Sequence, residues 1–344
     1  MAEGSKTRAR ALTPPEEAAP LFAEEDRRYD FVALAGEGGV GKVVACRDRV
    51  LGRQVALKVS RNDTDDADAM VTREARILAR LDHPNIVPIY DLANTGHSSY
   101  YSMRLLEQPT LLDIIIELER GSAKVTHGRA LRMFIQVCDA VAYAHSRGVV
   151  HCDLKPDNVL IGSYGEVTVV DWGFALRIGD DGHERGGTAG FMPPEQLDKG
   201  GQMDERTDVF ALGVMLFMLL TGERPFADVD FERWRSTDEP FRADLLAFEA
   251  PSLTASERNI PESLDRLCIE ALRLDKEQRL PTATDLARGL DRFLEGQKEK
   301  KRRRRHANEL CDQANMIADS HIDLVRSRPE RVYELARLRA RTAP

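Results

Sequence analysis

Four polar side chains cluster in the stretch HCDLKPDNVL and in the DWG that follows it: Asp153, Lys155, Asn158 and Asp171. Moving a phosphoryl group from ATP needs a carboxylate to orient a hydroxyl, a cation for the phosphate in flight and two oxygen ligands for magnesium. These four residues supply that set. Upstream, GEGGVGKV puts Gly36, Gly38 and Gly41 where a backbone can turn tightly and bring its N–H groups against phosphates. The same segment nearly matches a Walker A loop, GxxxxGK[ST], which would indicate a P-loop ATPase. That loop ends in a hydroxyl that holds magnesium and runs into a helix. Here the position is Val43, at the head of the β-branched run VVACRDR, so the glycines are expected in a strand–loop–strand hairpin.

A lysine that reaches those phosphates is available in VALKV. On a strand, Ala56 and Lys58 share one face beneath the glycine loop. In TREARILARLDHPNIV, helical spacing puts Met70, Glu74, Ile77, Leu78 and Leu81 on one stripe, so the Glu74 carboxylate falls on a buried face. A buried charge needs a partner, and Lys58 is the obvious one.

Such residues need two kinds of scaffold. Short β-branched runs at Phe31 to Ala35, Val43 to Arg47, Gln54 to Ser60, Ile86 to Leu92 and Ser99 to Arg104 predict a small β-rich lobe with one helix. From about residue 110 helical spacing dominates, as in Leu131, Phe134, Ile135, Cys138 and Val141. The run Val209 to Leu220 is apolar all round, which a helix tolerates only when neighbours cover every face, so it belongs at the centre of the second lobe. Residues 1–28 carry three prolines among Glu, Ala and Arg and read as a mobile leader. After Leu294 the composition turns to GQKEKKRRRRH, a basic linker at 296–306, followed by a helical extension at 307–344 with Leu310, Ala314, Ile317, His321 and Leu324 at spacings of four and three.

The 344 residues are 42% apolar and 31% charged, enough to bury one large core or two joined lobes. A formal charge of −8 argues against a general nucleic-acid binder, which needs a basic surface to neutralise phosphates. Five cysteines without a CxxC pair give neither a disulfide framework nor a zinc site and fit a reducing cytoplasm. The longest apolar run is too short to span a bilayer, so no membrane span is expected in this chain. A membrane anchor is expected only of a native chain that continues past residue 344. The basic patch at 298–305 suits acidic lipid or protein surfaces, and the segment after it suits a homodimer.

From about Tyr29 to Leu294, the series GEGGVGKV, VALK, EARILARLDHPNIV, HCDLKPDN, DWG, GTAGFMPPE, DVFALG and Arg279 resembles the eukaryotic-like (Hanks-type) serine/threonine protein kinases of bacteria, in order and in spacing. The resemblance implies a bilobal α+β kinase fold, an N-lobe at about 29–103 and a C-lobe at about 107–295 within a domain at 29–295. It implies Mg-ATP, with manganese as a substitute metal, and Ser/Thr hydroxyls of proteins as acceptors. Asp153 and Lys155 would be catalytic, together with the Lys58–Glu74 pair, while Asn158 and Asp171 would hold the metal. ATP would contact Gly36, Glu37, Gly38, Gly39, Val40, Gly41, Val43, Ala56 and Lys58, with Met103 at the gate and backbone groups of Arg104 to Leu106 on the base. Glu107 or Asp113 would touch the ribose. Asp208 would brace the catalytic loop, and Glu195 and Arg279 would form a buried ion pair.

One departure from the family carries a consequence. Cys152 stands where many kinases have an arginine that binds a phosphate on the activation loop. Between Phe174 and Met192 the chain has one hydroxyl, Thr188, which by resemblance contacts Asp153. Activity independent of loop phosphorylation is therefore expected. Two other readings share part of the pattern: a pseudokinase scaffold that binds nucleotide without transfer, and a small-molecule kinase with the same HxDxxxxN logic.

Overall fold

In the computed structural model, which describes residues 28–37, 41–60, 65–94, 98–122, 125–180, 186–198, 201–226 and 260–341, the chain divides into two units, Met1–Asp291 and Arg292–Pro344. The first unit opens with β1 (Tyr29–Glu37), β2 (Gly41–Asp48) and β3 (Arg53–Ser60). Their turn is written in the sequence. Asp48 Oδ1 accepts the amides of Val50 and Leu51 at 3.0 and 3.2 Å, and Gly52 supplies the left-handed backbone, φ 67°, that closes the hairpin. Arg28 donates to the same carboxylate at 3.0 Å and to Asp91 at 3.1 Å, so this residue, assigned above to the leader, is tied to the sheet. Residues 1–27 lie outside the described residues.

Helix α1 (Asp65–Leu78) follows, then β4 (Ile89–Asn94) and β5 (Ser99–Arg104), giving a five-stranded antiparallel sheet in the order β1-β2-β3-β5-β4. Four of the five predicted strands are recovered within two residues of their predicted bounds. The strand expected at Ile86 to Leu92 instead starts at Ile89. Pro88 has no N–H for a ladder, and the residues before it bond elsewhere: Val87 N donates to Val169 O at 3.2 Å, and Val169 N to Asn85 O at 2.8 Å.

The larger lobe is helical, with α2 (Leu111–Glu119), α3 (His127–Ser146), the short α4 (Pro194–Leu197), α5 (Glu205–Thr221), α6 (Glu262–Ala271) and the start of α7 (Ala283–Arg341). Two-stranded ribbons β6 (Val149–Val150) with β9 (Leu176–Arg177), and β7 (Val159–Ile161) with β8 (Val167–Val169), carry its loops. As expected, α5 is enclosed: every residue from Thr207 to Thr221 is buried. It starts in a capping box between Asp204 and Thr207 and stops at Gly222, whose φ of 76° ends the helix.

The basic run at 298–305 is helical, inside the bounds of α7, so the basic linker expected at 296–306 is continuous with the helical extension after it. Arginines of the run pair with Glu299 and Glu309 along the helix, for example Arg303 with Glu299 at 2.8 Å, which supports helix here. In the second unit Leu310, Ile317, Leu324 and Leu335 are all exposed on α7. No helix of the described residues is long and apolar enough to cross a membrane.

Gly213 marks the closest approach of α5 to α6. A Cβ built there would meet the Ala271 Cβ at 2.9 Å and the Ala271 carbonyl carbon at 3.1 Å. Gly213→Val is therefore expected to destabilise the fold by about 1–3 kcal/mol, although a side chain in a helix interior normally gains over glycine. Chemical denaturation measures this, and wild-type stability in the variant would contradict the spacing.

Candidate active site

Strand β3 is buried from Val55 onward and carries Lys58 opposite Val43 on β2 and Tyr101 on β5. Helix α1 brings Glu74 beneath it, buried with Ile77, Leu78 and Leu81 as the stripe predicts, while Met70 at its start is only half-buried. Lys58 Nζ lies 2.8 Å from both Glu74 carboxylate oxygens and donates to Asp171 Oδ1, also at 2.8 Å. One ammonium thus joins a strand, a helix and the DWG turn. Burial works against the Lys58 charge, but Glu74 and Asp171 together push its pKa up. Burial also acts on Asp171, yet the ammonium wins and holds that carboxyl below its ordinary value. Glu74, fully enclosed, is shifted up by burial. The Tyr101 hydroxyl completes its surroundings, and sequence reasoning missed this tyrosine.

A cavity of about 740 Å³ opens in front of this lysine. Of the predicted nucleotide contacts, Gly36, Glu37, Gly41, Val43, Ala56, Lys58, Met103, Arg104 and Leu106 line it, joined by Asn158, Asp171 and Glu107. Gly38, Gly39 and Val40 lie outside the described residues. The antiparallel pairing of β1 with β2, Gly36 opposite Val43, is that of a strand–loop–strand and excludes the P-loop alternative, whose loop runs into a helix. Gly41 is required by contact, since a Cβ there would fall 2.3 Å from the Val59 carbonyl oxygen.

At the base-binding edge one expectation is narrowed to particular backbone groups and one is corrected. The Arg104 N–H points to Pro88 O at 3.3 Å, so that residue has its carbonyl to offer a ligand, whereas the Leu106 amide has no intramolecular partner among the described residues. Asp113 is not on the cavity wall. It caps α2, accepting from the Thr110 amide at 2.7 Å and hydroxyl at 2.9 Å. Leu160 and Val87 do line the cavity and were not foreseen, because nothing but their neighbours distinguishes them from other core aliphatics.

The loop from β6 to β7 is held from beneath. Asp208, at the start of α5, is fully buried and accepts from His145 Nε2 and the His151 amide at 2.8 Å and the Cys152 amide at 3.0 Å. These donors outweigh burial and keep its carboxyl below the usual range. His151 is buried, its ring lies against Trp172 with centres 4.5 Å apart and planes tilted by 50°, and its Nδ1 accepts the Asp153 amide at 3.3 Å. Trp172 is buried too, so DWG keeps a large ring in the core.

At the loop surface Asp153, Lys155 and Thr188 form a closed triangle. Thr188 Oγ1 donates to Asp153 Oδ1 at 2.7 Å, while Lys155 Nζ donates to Asp153 Oδ2 at 3.0 Å and to Thr188 Oγ1 at 2.8 Å. Asn158 spends its Nδ2 on the Asp153 carbonyl at 2.9 Å, which leaves the carboxamide oxygen as its free ligand atom. Among the described residues no three His, Cys, Asp or Glu converge as a metal cage. An Asn oxygen and an Asp oxygen fit magnesium instead, a hard ion that retains water and phosphate oxygens.

Cys152 occupies a strained place. Its φ is 65°, its amide is held by Asp208, and its carbonyl accepts Gln196 Nε2 at 2.6 Å. Gln196 also donates to Gly186 O at 2.8 Å, so a glutamine that sequence reasoning passed over clamps the catalytic loop to the segment carrying Thr188. The thiol sits with Val150 and Leu176 in an apolar cluster, and burial pushes its pKa well up, as for an inert cysteine.

Below this platform Arg279 donates to both Glu195 oxygens, at 2.6 and 3.1 Å, and to the carbonyls of Arg273, Leu274 and Arg206. A profile of the protein kinase domain matches residues 29–288. The chain is 33% identical over 309 residues to a serine/threonine-protein kinase PknD of Chlamydia muridarum, covering 79% of this chain and 32% of that protein. It is 31% identical over 336 residues to the PknD of Protochlamydia amoebophila, covering 87% of this chain and 33% of the relative. The chain spans about a third of the length of these curated relatives.

The Arg279–Glu195 pair yields a test. Arg279→Met leaves a buried carboxylate without its cation and is expected to cost about 3–5 kcal/mol of stability, with partial recovery in Arg279→Met/Glu195→Gln. Loss of the exposed Arg266–Glu270 pair, by Arg266→Ala, is expected to cost under about 1 kcal/mol. Equal losses for the two arginines, read by denaturant unfolding, would contradict the assignment.

Proposed function

Because the chain belongs to the protein kinase domain family, we propose that it transfers the γ-phosphoryl group of Mg-ATP to serine or threonine hydroxyls of proteins. The observation that carries the reading is Lys58, held at 2.8 Å by both Glu74 and Asp171 on the wall of a nucleotide-sized cavity that Asn158 also lines. In this reading Lys58 binds phosphate oxygens at a position fixed by Glu74, and the Arg104 carbonyl and Leu106 amide hold the base. Asn158 and Asp171 hold magnesium, which when bound neutralises charge on the phosphates. Asp153 orients the acceptor hydroxyl and takes its proton, while Lys155 offsets charge on the transferred group. Thr188 holds the Asp153 carboxylate in position from the activation segment.

Transfer is proposed to need no phosphate on that segment. The pocket position of the missing arginine is filled by the Val150, Cys152 and Leu176 cluster, and Thr188 is already bonded to Asp153. The presence of Lys58, Glu74, Asp153, Asn158 and Asp171 together favours transfer over a scaffold that only binds nucleotide. The Glu195–Arg279 platform favours a protein acceptor over a small molecule.

Labelled ATP with a generic basic protein tests the first claim. Asp153→Asn is expected to lower labelling by roughly 10²–10⁴-fold, and labelling equal to wild type would overturn the assignment. Phosphatase treatment of the purified protein tests the second. Activity is expected to survive unchanged, and a large loss restored by loop phosphorylation would reverse the conclusion.

A further inference from the structure

A second cavity, about 450 Å³, shares no wall residue with the first. Arg73, Arg76 and Arg80 border it from α1 and the turn after it, Arg147 from the turn after α3, and Arg177 from β9. Among the described residues none of these five arginines has a carboxylate partner. Two carboxylates share the wall: Asp68 is engaged by Ser60 Oγ at 2.7 Å and the Ser99 amide at 2.6 Å, and Asp180 has an interaction of its own. A second observation points to a ligand: Arg73 Nη2 is buried with no hydrogen-bond acceptor. A buried guanidinium nitrogen without an acceptor is costly, and five arginines against two carboxylates leave the hollow with an excess of like charge. A compact anion removes both costs.

The β6–β9 ribbon separates this hollow from the position of the missing activation-loop arginine. On one face Val150 and Leu176, paired in register, pack with Cys152. The next pair, Val149 and Arg177, lines the cavity. The cationic site is therefore a different place from the apolar one. Nor is a phosphate on the activation segment available to it, since the single hydroxyl there, Thr188, is bonded to Asp153 and Lys155.

We propose that this cavity is an oxyanion site for a phosphate group supplied from outside the activation segment, either free phosphate or a phosphorylated side chain. Planar guanidinium forks match phosphate oxygens two at a time, and 450 Å³ admits the group with part of its carrier. Occupancy ties α1 to Arg147 and Arg177. Since Arg73 neighbours Glu74 on that helix, the bound anion holds Glu74 against Lys58.

Calorimetric titration tests this on the full chain, with the nucleotide cavity filled by magnesium and a non-hydrolysable ATP analogue and ionic strength fixed with chloride. Inorganic phosphate and a phosphoserine peptide are the two probes. Saturable binding of either is expected, weakened about tenfold or more in Arg147→Ala/Arg177→Ala and retained in Arg147→Lys. Both arginines are exposed, and an unchanged melting temperature without phosphate shows that the double variant folds. Peptide binding at least tenfold tighter than phosphate assigns a polypeptide source, and comparable binding assigns free phosphate. Absence of saturable binding by both probes, or binding that the double substitution leaves intact, overturns the proposal. The readout is binding, so it stands apart from whether the chain transfers phosphate.

Discussion

One ammonium group sets the arrangement of the N-lobe. Lys58 is buried, and a buried cation costs several kcal/mol unless its partners are close and well aligned. Its partners, Glu74 and Asp171, come from a helix and from a loop more than a hundred residues downstream. The Glu74 carboxylate could not be buried without the lysine, and the half-buried Asp171 turns toward the same ammonium. The sheet, α1 and the DWG turn must therefore assemble together or leave charges stranded, and the cavity wall is the surface that results.

The C-lobe repeats this logic with the signs reversed. Asp208 is a buried anion satisfied by donors from α3 and from the catalytic loop, and so the loop backbone is fixed with His151 and Cys152 in place. The φ of 65° at Cys152 is held by this grip from below and by Gln196 from the other side. In both lobes a buried charge does the positioning. The groups that face the cavity are carried by backbone that these charges hold.

Much of this was legible from spacing. The stripe from Glu74 to Leu81, the face shared by Ala56 and Lys58 and the enclosure of Val209 to Leu220 follow from periodicity, the Thr188–Asp153 contact was implied by the family resemblance, and the structure has each of them. What failed was local competition for hydrogen bonds. Asp113 looked free for a ribose but sits at the third position of a helix, where a cap claims it. Ile86 looked like strand but precedes Pro88 and pairs across to β8. The basic linker at 296–306 was legible as a change of composition, whereas its helical state depends on pairs such as Arg303 with Glu299. Tyr101 and Gln196 had no signal of their own, since their importance lies in which distant atoms they meet.

The bonds made by Asn85 and Val87 have a mechanical consequence. Through the Val169 backbone and the Asn85 side chain, which reaches Val167 O at 2.7 Å, the segment after α1 is stitched to the larger lobe although it lies in sequence between two pieces of the smaller one. The C-terminal end of α1 is thus tied to the larger lobe through the segment that follows it, and a swing of the helix about that end is the motion these bonds oppose least. Glu74 lies four residues from Leu78, about 6 Å along the axis. On so short a lever arm, a wide sweep of the far end of α1 displaces the carboxylate only slightly.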